Sequence, residues 1–263
     1  MRRAVRARIA LAFSGVCVLA LAVGLGVLAS LHGRAASISP VPGAAATEEA
    51  PADGSGFPDV DWEAWRAINP DVIGWITIPG TPVDYPIVQA PADDPTYYLT
   101  HDVYRKANYM GCPYLDAACA EGGLFGSVNA VVFGHNLGFG DTSMFNAVAS
   151  YTDAAFARKH RRVLLQTPDV RCEYEVQAAD CIGGWEAQKR TRFESEADFS
   201  QWYADRLVES DMRFTDEATA SPIVTLCTCS YNRWADNERT VVYAAPTVAE
   251  KSASENPQVD GSL

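Results

Sequence analysis

From residue 73 to residue 244 the chain is a succession of short apolar runs, many of them cut off by glycine, proline or asparagine. That punctuation limits the available folds more than any single residue does. Runs of four to eight residues are strand-length, whereas helices in a globular domain are usually longer. Ile73-Gly74-Trp75-Ile76-Thr77-Ile78 reads as a strand, Pro79-Gly80 as a turn, and residues 83–88 as the next strand. Residues 129–133 form another apolar run, ending at Gly134-His135-Asn136. Residues 163–165, 174–178, 223–226 and 240–244 continue the β pattern. Two segments read differently. Asp59 or Asp61 caps a short helix carrying Trp62, Trp65 and Ile68, which Pro70 stops. In residues 194–209, Phe199, Trp202, Tyr203 and Leu207 recur at helical spacing behind a Ser195-x-x-Asp198 capping signal. Many short strands with few helices predict a mainly β domain, a closed or nearly closed barrel with added helices.

The N-terminal segment has another character. Residues 9–31 are uncharged and rich in Ala, Leu, Val and Gly. At ~1.5 Å per residue such a helix spans a hydrocarbon core of about 30 Å. Arg2, Arg3, Arg6 and Arg8 precede it, which places the N-terminus in the cytoplasm and the remainder outside. A cleaved signal peptide is the competing reading, with Ala44-Ala45-Ala46 as the cut, but the apolar run exceeds the usual signal-peptide core. Either way the body is exported. The expected organisation is a cytoplasmic tip and membrane anchor over 1–34, a Pro- and Ala-rich extracellular linker over 35–58, a folded domain over 59–246 and a loose polar tail over 247–263.

Charge excludes one class of partner. The 21 basic residues include five in the first 34 positions, where no acid occurs, so residues 35–263 carry 16 bases against 33 acids, a net of −17. Phosphate backbones repel such a body, so no nucleic-acid binding is expected. Seven cysteines include Cys17 in the apolar run. Cys172 and Cys181 lie about 30 Å apart if one strand carries both, too far to pair. Cys112 and Cys119 lie in a loop-like stretch and are expected to pair. No CxxC meets a second CxxC or an HxxxH, so neither structural zinc nor any other cofactor is expected.

Three residues have the chemistry for a reaction. Cys229 ends the run Ile223-Val224-Thr225-Leu226-Cys227-Thr228-Cys229 beside a loop, both rigidly placed and reachable. A cysteine in an apolar strand is more often core than nucleophile. His135 follows a β run directly, and of the four histidines it has the best context for an acid–base partner. Arg239 opens the last strand, either as a strand-edge charge facing water or as a fixed cation for a developing oxyanion.

Together these residues resemble the sortases, membrane-anchored cysteine transpeptidases of Gram-positive bacteria. Thr225-Leu226-Cys227-Thr228-Cys229 is similar to that family's TLxTC nucleophile strand, and Arg239 follows ten residues later as it does there. The stretches NPDVIGWITIPGTPVDYPIVQ (69–89), YYLTHDVY (97–104), VVFGHNLGFGDTSMF (131–145) and CSYNRWADNERTVVYA (229–244) resemble class B segments, as does the helical region 194–209. The resemblance covers about residues 60–246. It implies an eight-stranded barrel with an N-terminal helix and a helix in the long connection before the nucleophile strand. Cys229 would be the nucleophile, His135 the acid–base residue and Arg239 the transition-state clamp, with Thr225, Leu226, Cys227 and Thr228 binding substrate. Arg233 is nearer in sequence to the nucleophile, but its spacing does not fit the clamp.

The implied reaction cleaves an NPQTN-like sorting signal in a secreted protein and joins it to a peptidoglycan stem or cross-bridge amine. A pilin lysine is the alternative acceptor. A non-enzymatic surface module on the same fold is the reading from another class, opposed by the presence of all three residues. One departure is Cys227, where class B enzymes commonly have serine; it puts a second thiol on the active-site face, where oxidation could block Cys229. Asn256-Pro257-Gln258-Val259 matches three residues of such a signal and reads as coincidence, because Val259 replaces the threonine.

Overall fold

The computed structural model describes residues 55–138, 140–184, 189–218, 222–232 and 237–251. The apolar run 9–31, most of the linker, Arg233 and the NPQV tetrapeptide lie outside these residues. Nine strands are present among the described residues: β1 Val72–Thr77, β2 Asp84–Gln89, β3 Tyr114–Leu115, β4 Asn129–Phe133, β5 Arg162–Gln166, β6 Val170–Gly183, β7 Met212–Arg213, β8 Ile223–Ser230 and β9 Glu238–Lys251. The helices are α1 Trp62–Ile68, α2 Gly123–Gly126, α3 Asn146–Ala149, α4 Ala154–Lys159 and α5 Glu196–Glu209.

The strands pair in the order β5-β1-β2-β3-β4-β8-β9-β6, and β6 returns to β5, closing an eight-stranded barrel. The two-residue β7 is added to β6 beyond that closure. Closure removes the unpaired edges that an open sheet would expose. Alternation along each strand then sends one face inward. Ile76, Ile87, Leu115, Val132, Leu165, Val176, Leu226 and Val242, one from each barrel strand, are fully buried together in the interior.

A second apolar layer lies outside the barrel. Ile182, Ile223, Val241 and Tyr243 face outward from β6, β8 and β9 and pack against Phe199, Tyr203 and Leu207 of α5. Those three recur every fourth position and form one helical stripe. Ser195 caps α5 by accepting from the Asp198 amide at 3.1 Å. Burying each large side chain is worth about 2 kcal/mol, whereas an isolated helix of this length is marginal in water. Docking on the sheet therefore holds α5 in place. At the other end of the domain, Asp61 caps α1 by accepting from the Ala64 amide, and Trp65 packs 5.5 Å from Trp75 of β1.

Several sequence readings need correction. β6 extends well beyond 174–178 because its polar residues are paired: Arg162 on β5 bridges Glu173 at 2.7 Å and Arg161 bridges Glu175 at 3.1 Å. β9 continues through residues 247–251, read as tail, since they pair with the start of β6. Residues 55–58, read as linker, lie against β5: Phe57 is buried, and Gln166 Nε2 donates to the Pro58 carbonyl at 2.9 Å. Cys112 and Cys119 are free thiols, not a disulfide. Each is buried against a different strand, Cys119 Sγ donating to the Asn129 carbonyl at 3.3 Å and Cys112 Sγ to that of Pro86 at 3.7 Å. Cys172 and Cys181 lie near opposite ends of β6 and form no disulfide with each other.

Candidate active site

β8 is the strand on which the site is built. Its side chains alternate, Val224 and Leu226 entering the barrel core and Ile223, Thr225, Cys227 and Cys229 facing outward. Cys229 lies one residue from the end of β8 and is partly exposed. Directly opposite it on antiparallel β9 is Arg239. Cross-strand partners on one face have Cβ atoms about 4.5–5.5 Å apart, so the thiol and the guanidinium stem start as neighbours. Arg239 Nη1 donates to the Glu238 carbonyl at 2.9 Å, which steadies the guanidinium at the head of its strand. The buried Glu238 side chain accepts from the Asn232 amide at 2.7 Å, tying the segment after β8 back to β9.

His135 arrives from the opposite side. β4 runs parallel to β8 with Phe133 opposite Cys227, so the chain leaving β4 passes the end of β8. Three hydrogen bonds stitch the two segments together. The Gly134 amide donates to the Cys227 carbonyl at 3.2 Å, Thr228 Oγ1 to the Gly134 carbonyl at 2.8 Å, and Asn136 Nδ2 to the Cys229 carbonyl at 3.0 Å. Position 134 has no room for a side chain: a Cβ there would lie 2.5 Å from the Phe145 ring. The bend also holds Asn146, whose Nδ2 donates to Asn136 Oδ1 at 3.0 Å. His135 Nε2 lies 2.8 Å from the Leu99 carbonyl oxygen.

A cavity of about 270 Å³ opens beside this group. Its floor is the outward face of β4, β8 and β9, through Val131, Phe133, Thr225, Cys227 and Val241. Trp202 of α5 and Lys189 also line it, and Arg239 reaches it from β9. Asn129 ties the parts together, accepting from Thr225 Oγ1 at 2.7 Å and donating to the Arg190 carbonyl at 2.8 Å. Lys189 pairs with Asp116 at 2.6 Å.

The two outward thiols differ electrostatically. Burial pushes Cys227 up to about 12; Arg239 and Lys189 pull it down by less, and Cys229 pushes it further up. At neutral pH Cys227 is therefore a protonated thiol and not a nucleophile. Tyr114, stacked 5.4 Å from Phe133, is also pushed up to about 12, first by burial and then by the nearby Cys227, Asp116 and Cys229, with Arg239 opposing. Direct oxidation of Cys227 to Cys229 does not suit this strand. Same-face neighbours on a strand are about 6.6 Å apart with parallel Cβ bonds, whereas a disulfide needs Cβ atoms about 3.5–4.5 Å apart.

The structure brings Cys229, Arg239 and the His135 segment together, and it divides the four residues expected to bind substrate. Thr225 and Cys227 line the cavity. Leu226 is fully buried in the barrel and Thr228 is spent on the Gly134 carbonyl, so neither side chain faces the cavity. Strand alternation is the reason the four residues divide in this way. Sequence reasoning missed Asn136, Tyr114 and Lys189. Asn136 was signalled only by its place after His135, since its partner carbonyl is 93 positions away. Among the described residues no three His, Cys, Asp or Glu side chains gather as a metal site.

Residues 76–247, which include Cys229, His135, Arg239 and every residue lining the cavity, match the model of the sortase domain. The chain belongs to the sortase family. Its relatives place it in class B. Sortase B of Staphylococcus aureus (strain NCTC 8325 / PS 47) is 27% identical over 187 residues, which cover 70% of this sortase and 73% of the relative. Among solved structures, Clostridium perfringens sortase B superposes with a TM-score of 0.63 at 26% identity, covering 71% of this chain and 99% of that one. The Staphylococcus aureus sortase B–substrate complex gives a TM-score of 0.62 at 26% identity, covering 71% and 84%. The sortase is thus a cysteine transpeptidase of class B, acting on a sorting-signal peptide and an amine.

Proposed function

We propose that this sortase cleaves an NPQTN-like sorting signal through a thioacyl intermediate on Cys229 and transfers the new acyl end to a cell-wall amine. The observation that carries this reading is the cross-strand pair Cys229–Arg239 beside the segment bearing His135, with Arg239 itself lining a cavity floored by the same strands. The cavity is slightly smaller than ordinary ligand sites of about 300–1,000 Å³ and suits a few side chains of a peptide.

In the first half-reaction the Cys229 thiolate attacks the scissile carbonyl carbon. The carbonyl electrons move to oxygen, and Arg239 hydrogen-bonds the resulting oxyanion. Collapse expels the amine, which takes a proton from His135, and leaves the acyl group on sulfur. In the second half-reaction the acceptor amine attacks the thioester. His135 takes the surplus proton, and the thiolate departs as the new amide forms. One set of residues serves both directions because the two tetrahedral intermediates are alike. Thr225 and Cys227 face the bound peptide, and Trp202 and Lys189 flank it.

The test is incubation of the full chain with an NPQTN peptide, followed by mass spectrometry of the intact protein. A peptide-sized adduct on Cys229, discharged by an added amine, is the expected result. Cleavage without any Cys229 adduct would sink the thioacyl route, and indifference to the NPQTN sequence would sink the signal assignment.

The apolar run 9–31 supplies a membrane anchor in this reading, holding the catalytic domain outside the cell, where both substrates are. Supporting it are the length of the run and the four arginines before it. Membrane fractions of producing cells should hold the chain, and external protease should digest its folded domain in protoplasts. Recovery in the medium would favour a cleaved signal peptide instead.

A further inference from the structure

A carbonyl oxygen accepts hydrogen bonds and cannot donate them, so a ring nitrogen 2.8 Å from one must carry a proton. His135 Nε2 is in that position against Leu99, which fixes its protonation in the neutral ring as well as in the cation. We infer that the Leu99 carbonyl locks neutral His135 as the Nε2–H tautomer, that Nδ1 is the nitrogen which gives and takes the proton in turnover, and that Tyr98, Asn69 and Asp71 are positioning residues for that carbonyl. This deepens the acid–base reading of His135 and rests on it.

Leu99 closes a single 3₁₀ turn, Tyr97–Leu99, which a short turn's own hydrogen bonds would hold poorly. Side chains and backbone from elsewhere hold it instead. Tyr98 is fully buried, and its hydroxyl donates to Asp71 Oδ2 at 2.7 Å while accepting from Asn69 Nδ2 at 2.8 Å. Burial raises the Tyr98 pKa above the ordinary tyrosine value, so the hydroxyl keeps its donor proton at neutral pH. Asn69 is the C-cap of α1 and has no exposed surface. Its amide also donates to the Val103 carbonyl at 2.9 Å and accepts from the Asp71 backbone at 3.0 Å.

Backbone holds the turn from the other side. The Cys112 amide donates to the Tyr98 carbonyl at 3.0 Å, and the Asn108 amide to that of Thr100 at 2.8 Å. Gly111 lets these segments approach: at φ +62° its absent Cβ would lie 2.4 Å from the Tyr98 oxygen and 3.1 Å from His135 Cδ2. In a Ser–His–Asp triad a carboxylate orients the second ring nitrogen. Here a peptide carbonyl does so, and the brace behind it begins at the end of α1.

The experiment is ¹⁵N–¹H correlation spectroscopy of the full chain labelled at histidine, above the histidine titration range. The His135→Gln spectrum picks out the His135 signals from those of the other three histidines. Nε2 is expected to be protonated and Nδ1 bare. A protonated Nδ1, or an averaged pair of tautomers, would overturn the lock even if His135→Gln is inactive. Wild-type turnover in His135→Gln would instead overturn the acid–base reading and leave the tautomer untouched. Tyr98→Phe keeps the ring and removes the hydroxyl; kcat should fall about tenfold with KM within about twofold, and the tautomer signals should average, because small misplacement of a catalytic group is expensive. Tyr97→Phe, whose hydroxyl donates to the Arg105 carbonyl at 3.3 Å and not to Asn69 or Asp71, should change neither. Unaltered kcat and tautomer in Tyr98→Phe would remove Tyr98 from the brace. If that variant fails to fold, the wild-type spectrum still decides the tautomer.

Discussion

Replacing Cys229 with alanine is expected to abolish transpeptidation, lowering turnover by at least ~10⁴-fold, because no other group on the strand can carry the acyl chain. Cys227→Ala is the informative partner. Both thiols face outward on β8, and they sit only two positions apart. Burial nevertheless holds Cys227 at about 12, so at neutral pH it stays a protonated thiol. It cannot substitute for Cys229. The Cys227→Ala variant should still form the acyl adduct, with a change of a few-fold in KM from the altered cavity floor. Iodoacetamide at neutral pH should label the Cys227→Ala enzyme as fast as the wild type and should not label Cys229→Ala at this strand. Rapid alkylation of Cys227, or an acyl adduct in Cys229→Ala, would put the nucleophile on the wrong cysteine.

How far the sequence could be read depended on the range of the interaction that fixes each element. Local signals worked: the Asp61 and Ser195 caps, the break at Pro70 and the apolar runs of β1, β4 and β8 all depend on neighbouring residues. β6 outruns its apolar core because Glu173 and Glu175 look like loop residues until Arg162 and Arg161 are placed beside them. β3 has only two residues and pairs with strands on both sides, leaving almost no local pattern. Cys112 and Cys119 are close in sequence, but each thiol finds a strand carbonyl instead of the other thiol. The inward direction of Leu226 and Thr228 is legible from alternation along β8. It is lost when a five-residue motif is treated as one surface.

The same distinction applies to the site. Cys229, His135 and Arg239 each stood out from local context, and only the resemblance joined them, since nothing local links positions so far apart. Their meeting depends on parallel pairing of β4 with β8 and antiparallel pairing of β8 with β9. Asn136 had no sequence signal as a partner of β8. Its amide spans from the bend after β4 to the carbonyl of Cys229 itself, a contact created only by the closed barrel.

Arg239→Lys distinguishes a clamp from a strand-edge charge. For a charge that only faces water, lysine is an adequate replacement, with a stability change under about 0.5 kcal/mol and intact turnover. Arg239 occupies a different setting: opposite Cys229 in the β8–β9 register, on the wall of the cavity, with one nitrogen already donating to the Glu238 carbonyl. A guanidinium can hold that carbonyl with one nitrogen and present another to an oxyanion in the same plane. The lysine ammonium is a compact point charge on a flexible stem and cannot keep both contacts at that geometry. Loss of one oxyanion donor typically lowers kcat by ~10²–10³-fold, about 3–4 kcal/mol of transition-state stabilisation. The barrel should survive, because the outward-facing stem of Arg239 does not enter its interior, and Cys229 should still react with small alkylating reagents. Arg213→Lys, on an exposed pair with Asp216 at 3.0 Å, serves as the control and should be nearly silent. With kcat measured for both variants on one peptide, near-wild-type turnover of Arg239→Lys would return Arg239 to the solvent-facing edge of β9 and leave the oxyanion without its proposed donor.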